Sequence, residues 1–203
     1  MKRSLPPRLL GALALLIAGA AVWLGRGQFP IRPDRPPVPF EIRPRDLADC
    51  IHAVVASHRE VYARLVVQRL SEEAKIVPCS ENWEADKALP VPTQVLRLAN
   101  EAVQRKGAEF AVVARSLHPL NPRNRPETDT ERLGLESFRT QPDQTFYTNE
   151  MAGGRRYFTA VYPDKAIVPA CVHCHNAHPN SPRKDFKPGD VLGGIVVRVP
   201  LEF

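Results

Sequence analysis

The chain has 203 residues, 43% of them hydrophobic and 25% charged, which suits one well-cored domain with appendages and excludes an intrinsically disordered protein. Its formal charge of +6 is thinly spread: Lys2, Arg3 and Arg8 open the chain, the other basic residues alternate with acids, and no Lys/Arg run with interleaved aromatics marks a nucleic-acid interface. The 21 prolines gather in two stretches that read as spacer and irregular loop.

Residues 1–8 are basic and residues 9–24 form an uncharged run of mostly Leu, Ala, Ile and Val with Trp23. This predicts residues 1–25 to be a signal peptide or N-terminal membrane anchor. The anchor is preferred because Val22, Trp23 and Leu24 carry the apolar run past the small residues Ala18, Gly19 and Ala20. Either outcome places the body in the periplasm or otherwise outside the cytoplasm, with the anchor tethering it to the inner membrane. Residues 26–44 carry Pro30, Pro33, Pro36, Pro37, Pro39 and Pro44 and predict a stiff, extended linker, leaving residues 45–203 as the domain.

Within the domain, residues 46–73 place Leu47, Ile51, Val54, Val55, His58, Tyr62, Leu65, Val66 and Leu70 at steps of three and four, predicting one long amphipathic helix with His58 on its apolar stripe. Such a helix beside a tether also suits a homodimer. Residues 76–89, including Pro78, Cys79 and Trp83, lack a period and predict a loop with a short helix. A second amphipathic helix is expected over residues 93–106, with Gly107 as its stop.

Residues 109–117 read as a strand, followed by a Pro/Asn-rich stretch from Pro119 to Pro126. Thr128 and Glu131 form a capping-box pattern that opens a short helix over residues 128–139. Strands follow over 146–151 and 155–162, split by the hairpin signal Gly153-Gly154, and over 191–200, where Gly193-Gly194 predicts a bulge or a close approach. Helices first and mainly antiparallel strands after them make an α+β order.

The chemistry concentrates in Cys171-Val172-His173-Cys174-His175, which reads C-x-x-C-H. In this pattern two thiols add to the porphyrin vinyl groups and the adjoining histidine ligates iron, so one covalently attached haem c is expected, with Cys171 and Cys174 as anchors and His175 as proximal ligand. Two disulfides are the alternative use of four cysteines, but a bridge between Cys171 and Cys174 would close too small a loop to constrain much. His173 is expected to point outward and His178 to bond a propionate or a turn.

Several further runs resemble a family of exported c-type haem domains with a PAS-like fold, of Tll type: Leu89-Pro90-Val91-Pro92, Leu117 to Asn124, Gly153 to Pro163, Ala170 to Phe186 and Gly189 to Pro200. The resemblance implies a PAS-like antiparallel sheet flanked by helices, and redox or small-molecule sensing ahead of an enzyme activity. It also favours a cysteine as the second iron ligand. The candidates are Cys50, Cys79, His52, His58 and His118, with Met151 a weaker one. Cys79 is preferred because a loop can aim its side chain freely, whereas Cys50 lies on the first turn of a helix. Arg115, Arg123 and Arg125 are candidates to support its thiolate charge.

The expected function is an extracytoplasmic sensor of redox state or a diatomic gas, working by exchange of a weak axial ligand and passing its signal to a partner protein. The alternative is a membrane-tethered electron-transfer cytochrome with permanently six-coordinate haem. A peroxidase-like enzyme is a third reading without a distal His/Arg constellation to support it.

Overall fold

The structure is a computed structural model that describes residues 41–202. The leader and most of the linker lie outside the described residues. Among those described, no helix is long and apolar enough to cross a membrane.

Helix α1, Pro44–Tyr62, starts with proline in its first turn, where a missing amide hydrogen costs nothing. It runs on directly as a π-helix, Ala63–Glu73. Its first half is fixed to the sheet: Leu47, Ala48, Ile51 and Val55 pack on the core, and Asp49 accepts hydrogen bonds from the hydroxyls of Tyr147 (2.9 Å) and Tyr162 (2.7 Å). His52 stacks flat on Tyr162 with ring centres 3.7 Å apart.

From Arg59 on, the most buried side chains are not the ones the apolar spacing predicts. Arg59, Ala63 and Val67 are buried, while Val54, His58 and Leu65 face solvent. Arg59 still belongs to the α-helical part, one turn before Ala63; past Ala63 the i→i+5 winding turns more slowly than the α-helical period of about 3.6 residues, so the buried face drifts along the helix.

Strand β1, Cys79–Ser80, pairs in parallel with β2, Leu89–Pro90. Between them the chain makes turns rather than the short helix expected. Ser80 Oγ accepts the Asn82 amide hydrogen at 3.0 Å, the local bond by which serine competes with helix, and the span is too short to nucleate one.

Helix α2, Pro92–Arg105, places Leu96 against the sheet and ends before Gly107, whose φ of +83° suits glycine. Strand β3 is Ala111–Arg115, helix α3 is Asp129–Ser137, and strands β4, Phe146–Ala152, and β5, Arg155–Lys165, follow. Helix α4, Pro169–Ala177, precedes β6, Val191–Pro200. The sheet is antiparallel throughout in the order β3-β6-β5-β4, and the α+β architecture is as the element order predicts.

Alternation divides the two central strands between two cores. Ala160, Tyr162, Ile195 and Val197 face α1 and α2, whereas Val161 and Val196 face Leu135 and Phe138 at α3. Helix α3 sits close, since a Cβ on Gly134 would fall 2.6 Å from Val161 Cγ2. In β6, Leu192 is an extra residue opposite the step from Asp164 to Lys165, which makes a bulge beside the glycine pair.

A polar belt crosses the α3 face. Glu131 is fully buried and accepts from Arg115 Nε (3.0 Å) and Arg198 Nη2 (2.9 Å); Arg198 Nε also donates to Glu150 (2.7 Å). Thr128 caps α3 as predicted, accepting from the Glu131 amide at 3.2 Å. The reciprocal half of the capping box is absent: the Glu131 carboxylate takes the Glu127 amide hydrogen and the two arginines instead, because two buried guanidinium groups need it.

Candidate functional site

Helix α4 carries the C-x-x-C-H motif. Its N-cap is Val168, which offers no side-chain acceptor, and Gln68 of the π-helix fills the role by accepting the Ala170 amide hydrogen at 3.0 Å. On a helix Cys171, Cys174 and His175 share a face, three and four residues apart. All three line a cavity of about 530 Å³, within the range of roughly 300–1,000 Å³ usual for cofactor sites.

The long wall of the cavity is the helix of residues 59–72, presenting Arg59, Ala63, Val67 and Glu72. Arg59, Ala63 and Val67 follow at steps of four, one turn apart, and the step of five from Val67 to Glu72 stays in line because the winding there is π. Opposite parts of the rim come from β1 and from the segment after β3. That segment is closed by the Ser116 amide donating to the Asn124 carbonyl (2.8 Å) and by Asn121 capping a short 3-10 turn, Pro122–Asn124. At Gly193, which also lines the cavity, a Cβ would meet the Arg115 carbonyl oxygen at 2.5 Å. Glycine is thus required there by a neighbouring strand.

Two histidine–glutamate contacts bracket the motif. His173 is exposed, with Nδ1 3.1 Å from Glu72. His178 Nδ1 accepts the Asn180 amide hydrogen at 3.1 Å, which leaves the proton on Nε2, 3.3 Å from Glu81. Asn180 in turn donates to the Leu120 carbonyl at 3.1 Å, so the loop after α4 is tied to the segment after β3.

His175 is half-buried, and burial, then the nearby charges of Arg59 and His178, push its pKa down to about 4, so the imidazole is neutral at physiological pH. Its ring meets the Phe186 ring edge-on at 5.6 Å. Asn176 holds Phe186 in place through both ends of its amide, donating to the Phe186 carbonyl (3.1 Å) and accepting its amide hydrogen (2.8 Å).

Of the other candidate donors, Cys79 and His118 line the cavity. Cys50, His58 and Met151 are exposed, His52 lies against Tyr162, and none of the four lines it. All four cysteines are free thiols. Cys79 is half-buried beside Cys171 on a patch of Ala63, Val67 and Val168; burial, then the neighbouring Cys174, Glu72 and Cys171, push its thiol up to about 11.

No arginine offsets that shift. Arg115 lines the cavity but is committed to Glu127, Glu131 and the Arg123 carbonyl, and Arg123 and Arg125 are exposed. The donors surround the cavity without converging: among the described residues no three His, Cys, Asp or Glu side chains group as a bare metal ion requires.

Sequence reasoning missed the buried Arg59–Asp164 pair, Nη2 to Oδ1 at 2.9 Å, in the cavity wall. The signal available was a charged residue at the step preceding Ala63 and Val67 on the small-residue face.

An antiparallel sheet roofed by helices over a thiol-lined cavity defines a pocket-bearing α+β domain. The chain belongs to the Tll0287-like family, whose model matches residues 41–200. A solved structure described as the cyanobacterial heme-protein Tll0287 is similar in fold: 17% identity, TM-score 0.51, covering 79% of this chain and 98% of that one. No curated protein matches the chain.

Proposed function

We propose that the cavity holds one haem c, anchored through Cys171 and Cys174, with His175 and Cys79 as the iron's axial ligands. The observation that carries this reading is that these four side chains, one of them about ninety residues upstream of the others, line the same cavity. The donor set fits: two reduced thiols share a helical face, the imidazole is neutral, and the donors stand around a volume suited to a broad planar group rather than converging on a point. Haem binding by the related cyanobacterial protein supports it. Bound there, the group supplies a redox-active iron with two axial positions.

The work of the domain is best read as sensing of redox state or of a diatomic gas, from outside the cytoplasm, at the end of a tether made by residues 1–44. Cys79 favours this over permanent electron transfer. It has no free arginine beside it to stabilise a thiolate, which makes it a reluctant ligand and an exchangeable one. A signalling or redox partner protein follows from that role.

Absorption spectra of the purified protein, oxidised and reduced, with and without carbon monoxide or nitric oxide, test the reading. Spectra indifferent to both gases in both states would sink gas sensing and leave electron transfer. Cys79→Ala moves the ferric Soret band if Cys79 is a ligand; an unmoved band removes it from the site.

A further inference from the structure

His175 is held differently from the histidines on either side of it. His173 bonds through its ring to Glu72, and His178 to Glu81 and the Asn180 amide, whereas neither ring nitrogen of His175 has a hydrogen-bond partner among the described residues. A metal-ligating histidine almost always has its plane set by a hydrogen bond from its second ring nitrogen, so another contact has to set it here. That contact is Phe186. The two rings meet edge-on, with centres 5.6 Å apart and planes at 80°, an arrangement that aromatic pairs prefer.

Phe186 is braced from several sides. Asn176, the residue after His175, accepts its amide hydrogen at 2.8 Å and donates to its carbonyl at 3.1 Å. The Arg183 guanidinium lies over its ring, 4.3 Å from the centre, and is itself paired with Asp185 and Asp190. The loop then closes on the end of β5, where the Gly189 amide donates to the Ala166 carbonyl and the Ala166 amide to the Asp190 carbonyl, both at 2.9 Å. For all this bracing, Phe186 joins none of the three apolar clusters and does not line the cavity. A core filler would belong to a cluster, and a residue touching the cofactor would face the cavity. What remains is its contact with His175.

We propose that Phe186 is the positioning residue of His175: held by Asn176 and Arg183, it fixes the plane of the imidazole that ligates the iron, in place of the hydrogen bond. This rests on the haem reading above and adds to it a residue outside both the C-x-x-C-H motif and the cavity.

The test uses the haem-loaded full chain and three variants. Phe186→Leu keeps apolar bulk and loses the ring, Phe186→Tyr keeps the ring, and Asn176→Ala keeps the ring but frees its loop. Covalent haem is quantified by the pyridine haemochrome, stability by the urea midpoint, and the setting of the imidazole by the g values of the ferric EPR signal. Attachment belongs to Cys171 and Cys174, so haem content should stay at the wild-type level throughout. The g values should move and the signal broaden in Phe186→Leu, by a smaller step in Asn176→Ala, and stay at wild type in Phe186→Tyr. Unmoved g values in both Phe186→Leu and Asn176→Ala, whatever their urea midpoints, overturn the proposal and leave Phe186 a prop for its own loop. A shift in Phe186→Tyr as large as in Phe186→Leu overturns it as well. If Phe186→Leu fails to fold, Asn176→Ala decides on the same signal. Wild-type protein without covalent haem overturns the haem reading itself.

Discussion

Gln68 and Ala170, 102 residues apart in sequence, meet through one hydrogen bond of 3.0 Å, with the Ala170 amide donating to the Gln68 side-chain carbonyl. The π-helix thereby caps the helix that carries the two motif cysteines. Gln68→Ala removes an N-terminal acceptor and is expected to lower stability by about 1 kcal/mol, with Gln68→Glu close to wild type because it keeps the acceptor. Urea denaturation of the three proteins measures this, and equal midpoints for Ala and wild type would show that water replaces the bond.

Glu131, fully buried, joins Arg115 and Arg198 in a triad. Removing the carboxylate leaves Arg115 with Glu127 and Arg198 with Glu150 but takes away the acceptor they share, so Glu131→Ala should cost about 3 kcal/mol. Glu131→Gln keeps a carbonyl acceptor and should cost less. The ordering Ala below Gln below wild type in guanidinium melts is the checkable outcome.

Glu150 sets an acid limb of stability. Burial alone would raise its pKa, but hydrogen bonds from Thr159 and Arg198 with the Arg198 charge hold it below its ordinary value of 4.5. The unfolded chain therefore binds this proton more readily than the folded one. The stabilisation is fully present above about pH 4.5 and is lost as pH falls through the folded pKa. The difference in stability between wild type and Glu150→Gln should be constant at neutral pH and shrink below that point; a difference that grows on acidification would reverse the assignment.

Tyr62 donates its hydroxyl hydrogen to the Pro90 carbonyl at 2.8 Å, tying α1 to the strand pair that carries Cys79; burial, then Cys79, push its pKa up to about 12. Tyr62→Phe should cost about 1 kcal/mol. Its local mark should be faster hydrogen exchange at the Leu89 amide, which donates to the Pro78 carbonyl at 2.8 Å. Unchanged exchange there would mean that the pair holds without the tie.

The sequence made some parts of this fold readable and concealed others for physical reasons. The hairpin at Gly153-Gly154 was legible because both residues need positive φ, +58° and +79°, which glycine supplies. Helix α2 was legible because its apolar residues keep an α period against the sheet. The face of the first helix was legible only in part: Leu47, Ile51 and Val55 pack as spaced, whereas from Arg59 on burial falls on Arg59, Ala63 and Val67 and leaves His58 in solvent, and past Ala63 the winding changes to π, which periodicity does not foresee. In the candidate site, Cys171, Cys174 and His175 were marked by spacing. Cys79 was separable from Cys50 only through its loop, and the structure places Cys79 alone of the two at the cavity. Arg59 is marked only by its step ahead of Ala63 and Val67, and Asp164, its partner, carries no local signature.

The π winding of residues 63–73 also determines what a change in chain length would do. A turn that holds extra backbone can lose a residue and close up as ordinary α-helix. A deletion that is not absorbed in this way would rotate everything beyond it by about 100°. Gln68 would swing away from Ala170 and Glu72 from His173, while Arg59, upstream, kept its hold on Asp164. Such a shortened chain would keep its sheet and lose the alignment of one cavity wall, making insertion and deletion at this segment a sharper tool than substitution for separating folding from site assembly.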